Sequence, residues 1–233
     1  MEQLVFELAA PEPPRLANFL AGRNAELLAA IPGFATGEGA ETGVLLWGAP
    51  ASGKTHLLIA TTALVEAAGR SSLYVAHPNE LQMDAAFTPP ALVAIDRIDD
   101  AGDDAAGRIF TLFNALKASG GRMIAAARVP LAALPLREDV RSRLGWGLVY
   151  EVLSLTDEEK SAALAAYASE RGFSLQADVV DYLLRHGRRD MRSLLATLDA
   201  LDRRSLATKR PITVPMIKDW MQQEIEWDRR RGA

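Results

Sequence analysis

The chain has 233 residues, enough for one large or two small domains, and its 49% hydrophobic content suffices for a substantial core. The absence of cysteine excludes disulfides, thiol catalysis and thiolate metal sites, and the three histidines, His56, His77 and His186, are too scattered to form a ligand set. A formal charge of −4 gives no overall attraction to nucleic acid, and the clusters Arg188-Arg189 and Arg229-Arg230-Arg231 read as solvated faces. No run approaches the ~18 apolar residues of a membrane span. The N-terminus carries Glu2 and Glu7 where a targeting signal needs basic residues, so a cytoplasmic chain without a membrane partner is expected.

Residues 1–15 read as an extended arm. Pro11, Pro13 and Pro14 forbid a continuous helix just after Gln3-Leu4-Val5-Phe6-Glu7-Leu8. Its apolar groups need cover, either from a partner or from the chain's own domain, and composition alone leaves both open. Leu16, Phe19 and Leu20, then Leu27, Leu28 and Ile31, predict a turn and a helix, followed by a Gly- and Glu-rich loop ending near Thr42. Strand-like runs recur at Val44–Trp47, Ser72–Ala76, Ala91–Asp96, Met123–Ala127 and Leu148–Val152, with helical patterns such as Ala105–Ser119 between them. Such alternation specifies an α/β fold, a five-stranded parallel sheet flanked by helices, over residues 16–152. After Val152 the strands stop. Residues 153–233 form a small all-α subdomain of three or four helices, opened by the capping box Thr156-Asp157-Glu158-Glu159.

The strongest chemical signal is Gly48-Ala49-Pro50-Ala51-Ser52-Gly53-Lys54-Thr55, which follows the first strand and leads into a helical run. The spacing is that of a phosphate-binding loop. Gly48 and Gly53 let backbone N–H groups close around phosphates, Lys54 reaches the outer oxygens, and the Thr55 hydroxyl ligates Mg²⁺. Asp96, ending a buried strand, is placed to present a carboxylate to the same Mg²⁺ through its water shell. Many ATPases of this kind carry a second acid next, but Arg97 stands there, with Asp99 and Asp100 further on. Position 97 therefore supplies no general base. Arg143 and Arg192 can stabilise phosphoryl charge or serve as surface ion-pair residues, and spacing alone does not separate the two roles.

The ordered set of phosphate loop, Asp96 strand, Ser142-Arg143-Leu144-Gly145-Trp146-Gly147 and Asp190-Met191-Arg192 resembles the AAA+ module of the DnaA family, and within it the Hda-type regulatory inactivators of DnaA. The resemblance covers nearly the whole chain. It implies a P-loop AAA+ core at 16–152, a helical lid at 153–233, bound ADP or ATP with Mg²⁺, and Asn18 and Phe19 beside the adenine. It carries the role of an arginine finger, offered to a neighbouring subunit's nucleotide, onto Arg143, and that of a second sensor facing the bound nucleotide onto Arg192. The arm is similar to the family's Q-L-x-L-P-L sliding-clamp motif, with Phe6 in place of a leucine and Glu7 in place of a proline, which makes Gln3, Leu4, Phe6 and Leu8 the expected clamp contacts. The family's polar first sensor falls on Ala127. DnaA continues past the lid into a helix-turn-helix domain where this chain ends, so DNA is expected to be reached through the clamp. The implied function is regulation of replication initiation by stimulating hydrolysis on DnaA, with weak or no turnover of its own, and the family allows homo-oligomers. Two alternatives use the same loop, an autonomous AAA+ ATPase acting as remodeller or helicase loader, and a small-molecule phosphotransferase.

Overall fold

Five short apolar runs pair into one parallel sheet: β1 (Gly43–Trp47), β2 (Ser72–Val75), β3 (Leu92–Ile95), β4 (Arg122–Ala127) and β5 (Leu148–Glu151), in the order β2-β3-β4-β1-β5. The computed structural model describes residues 12–84, 87–188 and 190–231, and side chains as far as 222, so the expected clamp contacts Gln3, Leu4, Phe6 and Leu8 lie outside the described residues. Parallel neighbours need crossovers. α1 (Ala25–Thr36) precedes β1, and α2 (Lys54–Ala67), α3 (Asp103–Ser119) and α4 (Glu138–Gly145) supply every crossover except β2 to β3, which among the described residues holds only a short 3-10 turn at Pro78–Glu80. Leu45, Val93, Ile95, Met123 and Ala125 pack with Ile109, Phe113, Val140 and Leu144 on the α3 and α4 side. Val44, Leu46, Leu92, Ala94, Ile124 and Ala126 alternate with them and meet Leu27, Ile31, Leu57 and Leu58 on the α1 and α2 side. Burial on both faces explains why β3 and β4 are continuously apolar after Arg122.

α1 ends at Thr36, past the Ile31 expected from the sequence, because it runs through Pro32. The ring forfeits one N–H bond, but its fixed φ is compatible with a helix. Gly37, at φ 93°, closes the helix with its N–H on the Gly33 carbonyl (3.2 Å), and Arg70 donates to the Ala35 and Thr36 carbonyls at 3.1 and 3.2 Å. Arg122 is buried at the start of β4, where it donates to the carbonyls of Glu41 (2.5 Å) and Gly39 (2.6 Å).

Residues 13–154 form this α/β unit, and a second compact unit begins at Leu155. The second holds α5 (Asp157–Glu170), α6 (Ala177–His186), α7 (Met191–Thr208) and α8 (Val214–Arg231). Thr156 Oγ1 accepts from the Glu159 amide (3.1 Å) and Glu159 Oε2 accepts from the Thr156 amide (2.8 Å), the reciprocal bonds of the expected capping box. Leu164, Val179, Leu183, Leu198, Leu201 and Ile217 fill its core. Among the described residues no helix is long and apolar enough to cross a membrane.

Gly147 locks β5 against β1. A Cβ there would stand 1.9 Å from the Gly43 carbonyl oxygen, a backbone atom that cannot swing aside. Gly147→Ala should therefore destabilise the α/β unit by about 1–3 kcal/mol, as overpacking does. The expected reading is a lowered urea midpoint with earlier amide exchange in β1 and β5, while the helical unit keeps its own protection.

Candidate functional site

The chain leaves β1 at Trp47 and enters α2 at Lys54 through a loop that requires unusual backbone angles. Gly48, Ala51 and Gly53 have φ of 153°, 62° and 102°. A side chain at Gly48 would meet the Val152 carbonyl oxygen at 2.5 Å, and one at Gly53 would meet the Phe19 ring at 2.6 Å. The first-turn amides of α2 have no partners within the helix, and the helix dipole adds partial positive charge there. Lys54 is buried, and its ammonium donates to the carbonyls of Gly48 (2.8 Å) and Ala49 (2.7 Å) and to Ser52 Oγ (3.3 Å). Burial lowers its pKa, while the charges of Asp96 and then Asp99 work against that loss.

Asp96 gathers the polar groups around this loop. Its Oδ2 accepts from the Thr55 hydroxyl at 2.5 Å and from the Tyr74 hydroxyl at 3.3 Å, while Oδ1 accepts from the Arg97 amide at 2.8 Å. Burial, followed by the adjacent Asp96 charge, pushes the Tyr74 phenol up to about 12. Among the described residues no group of three acidic or histidine side chains could hold a metal alone. One hydroxyl paired with one carboxylate, beside a cradle of loop amides, fits Mg²⁺ that takes its remaining oxygens from phosphate and water. The residues present therefore fit a magnesium-bound nucleotide.

The turn after Asp96 places an arginine, not a carboxylate, directly beside it. Arg97 adopts the left-handed conformation at φ 51°. Asp99 is tied down. Its side chain is only 5% exposed, and it accepts from Arg128 Nε at 2.6 Å and from the Arg128 amide at 3.2 Å. The same guanidinium bonds Asp100. These carboxylates hold the Arg128 proton above its ordinary range, the Asp99 hydrogen bond contributing most. Ala127, where the resemblance puts the first sensor, offers only a buried methyl group. Sequence reading missed Tyr74 and Arg128. The available signals were a tyrosine at the register position of Ala94, two residues before Asp96, and a basic residue directly after β4.

Phe19 lies against the loop through Gly53 and packs edge-on to His56, with ring centroids 5.4 Å apart. Asn18 uses its side chain within its own segment, donating to the Pro13 carbonyl (3.1 Å) and accepting from the Arg15 amide (2.8 Å). Asn24, which the resemblance counts in the entry segment with Asn18 and Phe19, is buried and exchanges two hydrogen bonds with the Leu153 backbone, at 2.8 and 2.9 Å. This bond pair fixes the segment before α1 to the chain leaving β5.

Arg143 sits elsewhere. It lies near the end of α4, and the following Gly147 abuts Gly43 at the amino end of β1, whereas the phosphate loop follows the carboxyl end. Five residues of strand span roughly 15 Å. The Arg143 guanidinium lies 3.9 Å from the Trp146 ring centroid and 5.3 Å from that of Phe110, with its Nε buried and without a hydrogen-bond partner. Arg192 is exposed in the first turn of α7, after the N-cap Asp190, whose carboxylate accepts from the Ser193 amide at 2.9 Å. The structure thus gathers Gly48, Gly53, Lys54, Thr55, Asp96 and Phe19, sets Arg143 at the opposite sheet edge, and places Arg192 in the helical unit.

Residues 157–221 match the family model of the Hda lid domain. Domain III of the Thermotoga maritima replication initiation protein DnaA superposes on the chain with a TM-score of 0.70 at 17% identity, covering 89% of this chain and 95% of that one. Residues 157–221 thus carry an Hda-type lid, and the chain shares the fold of DnaA domain III. AMPPCP-bound DnaA from Aquifex aeolicus gives a TM-score of 0.68 at 19% identity, covering 81% of this chain and 65% of that chain. A DNA replication initiation factor gives 0.67 at 19%, covering 82% and 64%. The chain thus spans just under two thirds of these two longer proteins. At such identities the superpositions establish a shared fold, and the lid match adds the family of the helical unit.

If the loop and Asp96 hold a magnesium nucleotide as their geometry allows, Lys54→Ala should weaken binding of a fluorescent ADP analogue by about a hundredfold or more, since a charged hydrogen-bond donor is lost from a buried site. Thr55→Ala should abolish the Mg²⁺ dependence of that affinity. Fluorescence titration with and without EDTA checks both, and wild-type affinity in Lys54→Ala would remove the loop from the site.

Proposed function

We propose that this chain is an adenine-nucleotide-binding AAA+ regulator of replication initiation that docks on the sliding clamp through its N-terminal arm and stimulates ATP hydrolysis by DnaA. One observation carries the reading. Arg143, the matching finger residue, stands about a strand length from its own phosphate loop and makes no ion pair among the described residues. Distance from its own loop supports a role for this guanidinium on another chain's nucleotide. There it would stabilise charge developing on the transferring phosphoryl group.

The chain's own nucleotide, ADP in this reading, would hold its shape. Lys54 and the loop amides bind the phosphates, Thr55 and Asp96 position Mg²⁺, Asn18 and Phe19 border the adenine, and Arg192 senses the nucleotide from the lid. Gln3, Leu4, Phe6 and Leu8 contact the clamp, and DNA is met through it. A chain carrying its finger and its nucleotide on opposite edges can also pair head to tail with copies of itself. Two features support weak intrinsic turnover, the Asp99 carboxylate committed to Arg128 and the absence of a polar group at Ala127.

The decisive assay is hydrolysis by ATP-bound DnaA on clamp-loaded DNA. Wild-type chain should accelerate it, and Arg143→Ala should return it to the basal rate, because a finger of this kind contributes about 10³-fold or more. Full stimulation by Arg143→Ala would overturn the assignment. Retention on immobilised clamp should be lost in Gln3→Ala and Leu4→Ala, and unchanged retention would remove the arm from the reading. Steady hydrolysis by the isolated chain would instead favour an autonomous ATPase.

A further inference from the structure

Arg143 is not the only cation at the amino edge of the sheet. Lys117, exposed in the last turn of α3, places its ammonium 4.6 Å from the centroid of the same Trp146 ring that Arg143 covers at 3.9 Å. Both charges therefore lie within one Debye length, about 10 Å at 0.1 M salt. Among the described residues no carboxylate stands within ion-pair distance of either. Two like charges drawn to one ring repel each other unless an anion joins them. Cation–π attraction holds each cation near the indole without neutralising either.

Trp146 itself is 54% exposed, a large aromatic surface that the α/β unit leaves uncovered. Its place is set from below. Gly145 is packed so closely on Leu131 that a Cβ there would approach within 3.0 Å, and Gly147 abuts the Gly43 backbone. Leu116, adjacent to Lys117, and Leu144, adjacent to Arg143, are buried in the same core, which joins α3 to α4. The residues on either side of the indole are thus closely packed, and two cations lie against its ring. An exposed aromatic with cations held on it is the composition of an interface hot spot.

We propose that Lys117 and Trp146 complete the site that Arg143 offers to another subunit, with Trp146 positioning the guanidinium and Lys117 acting as a second cation toward the polyphosphate of a nucleoside triphosphate bound there. This inference rests on the function proposed above and adds two residues to it. Arg143 acts on the phosphoryl group undergoing transfer. Lys117, more exposed, attracts the charged ligand and tightens the encounter, as rim charges do. A lysine in the last turn of a helix also complements the helix dipole, but that role moves stability and leaves assembly unchanged.

The test is a titration of ATP-bound DnaA with variants of this chain at two salt concentrations, reading maximal hydrolysis and half-saturating concentration separately. Lys117→Ala should raise the half-saturating concentration by about two- to fivefold and flatten its salt dependence at a nearly unchanged maximum, and Lys117→Arg should restore both. Trp146→Ala should lower the maximum by about tenfold, because a misplaced finger loses its alignment, whereas Trp146→Phe keeps a ring and most of the rate. Thermal midpoints close to wild type would show that the fold is intact. Wild-type titrations from Lys117→Ala and Trp146→Ala, alongside an inactive Arg143→Ala, would overturn the inference and leave the proposed function standing. Full activity in Arg143→Ala would overturn both.

Discussion

The hydrogen bond between Thr55 and Asp96, 2.5 Å long and spanning 41 residues of sequence, is the contact around which the α/β unit is arranged. Thr55 follows β1 and Asp96 follows β3, with β4 lying between those strands. The register pairs Leu46 with Ala126 and Ile95 with Ala125, so Ala126 occupies the row that separates the two groups. Asp96 alternates with Ala94 onto the α2 side of the sheet, the side that Ala126 also faces. A large side chain at 126 would stand in that row. The run of alanines at the end of β4 is therefore a condition for the site, and Tyr74, paired with Ala94, reaches Asp96 along the same face.

A parallel sheet has two different ends, and this unit uses both. The carboxyl ends carry the loop, Asp96 and the Asp99–Arg128 pair, while the turn from α4 into β5 brings Arg143 and Trp146 to the amino ends. The close approach of Gly147 to Gly43 fixes that turn against β1, the strand whose far end bears the phosphate loop. One rigid strand thus links two chemically distinct edges. The length of that strand keeps them from meeting within one chain, whereas the head-to-tail association proposed above would bring them together.

Much of this was legible in the sequence because its causes are local. The strands follow from apolar runs of the right length, and each observed strand lies within about one residue of its expected bounds, the uncertainty normal at element ends. Thr156 and Glu159 announce a cap, since both partners lie within one turn. The eight-residue loop carries its own backbone requirement in Gly48 and Gly53. Other features depend on which strands become neighbours. Arg128 and Asp99 are 29 residues apart and meet only because β4 lies beside β3. Asn24 and Leu153 are 129 residues apart, and no periodicity links them. The approach of Lys117 to Trp146 depends on the packing of α3 against α4, which a helical pattern does not specify.

The turn after Asp96 combines groups that fit phosphate and magnesium with an acid that is already committed to a basic partner. A general base needs a carboxylate free to take a proton from water. Asp99 is within electrostatic reach of Lys54 but is committed to two hydrogen bonds from Arg128, one of them from a guanidinium nitrogen that is permanently charged. Freeing it would mean breaking a charge-assisted bond at a side chain almost closed to solvent. The left-handed backbone at Arg97 belongs to the same arrangement, since a non-glycine residue persists there only where its surroundings over-determine it. Binding makes no such demand. Lys54, Thr55, Asp96 and the loop amides meet phosphate and magnesium through charge and donor geometry alone, so loss of a base need not weaken the hold on a nucleotide. Under the function proposed above, such an arrangement would favour retention, with the nucleotide serving as a structural element.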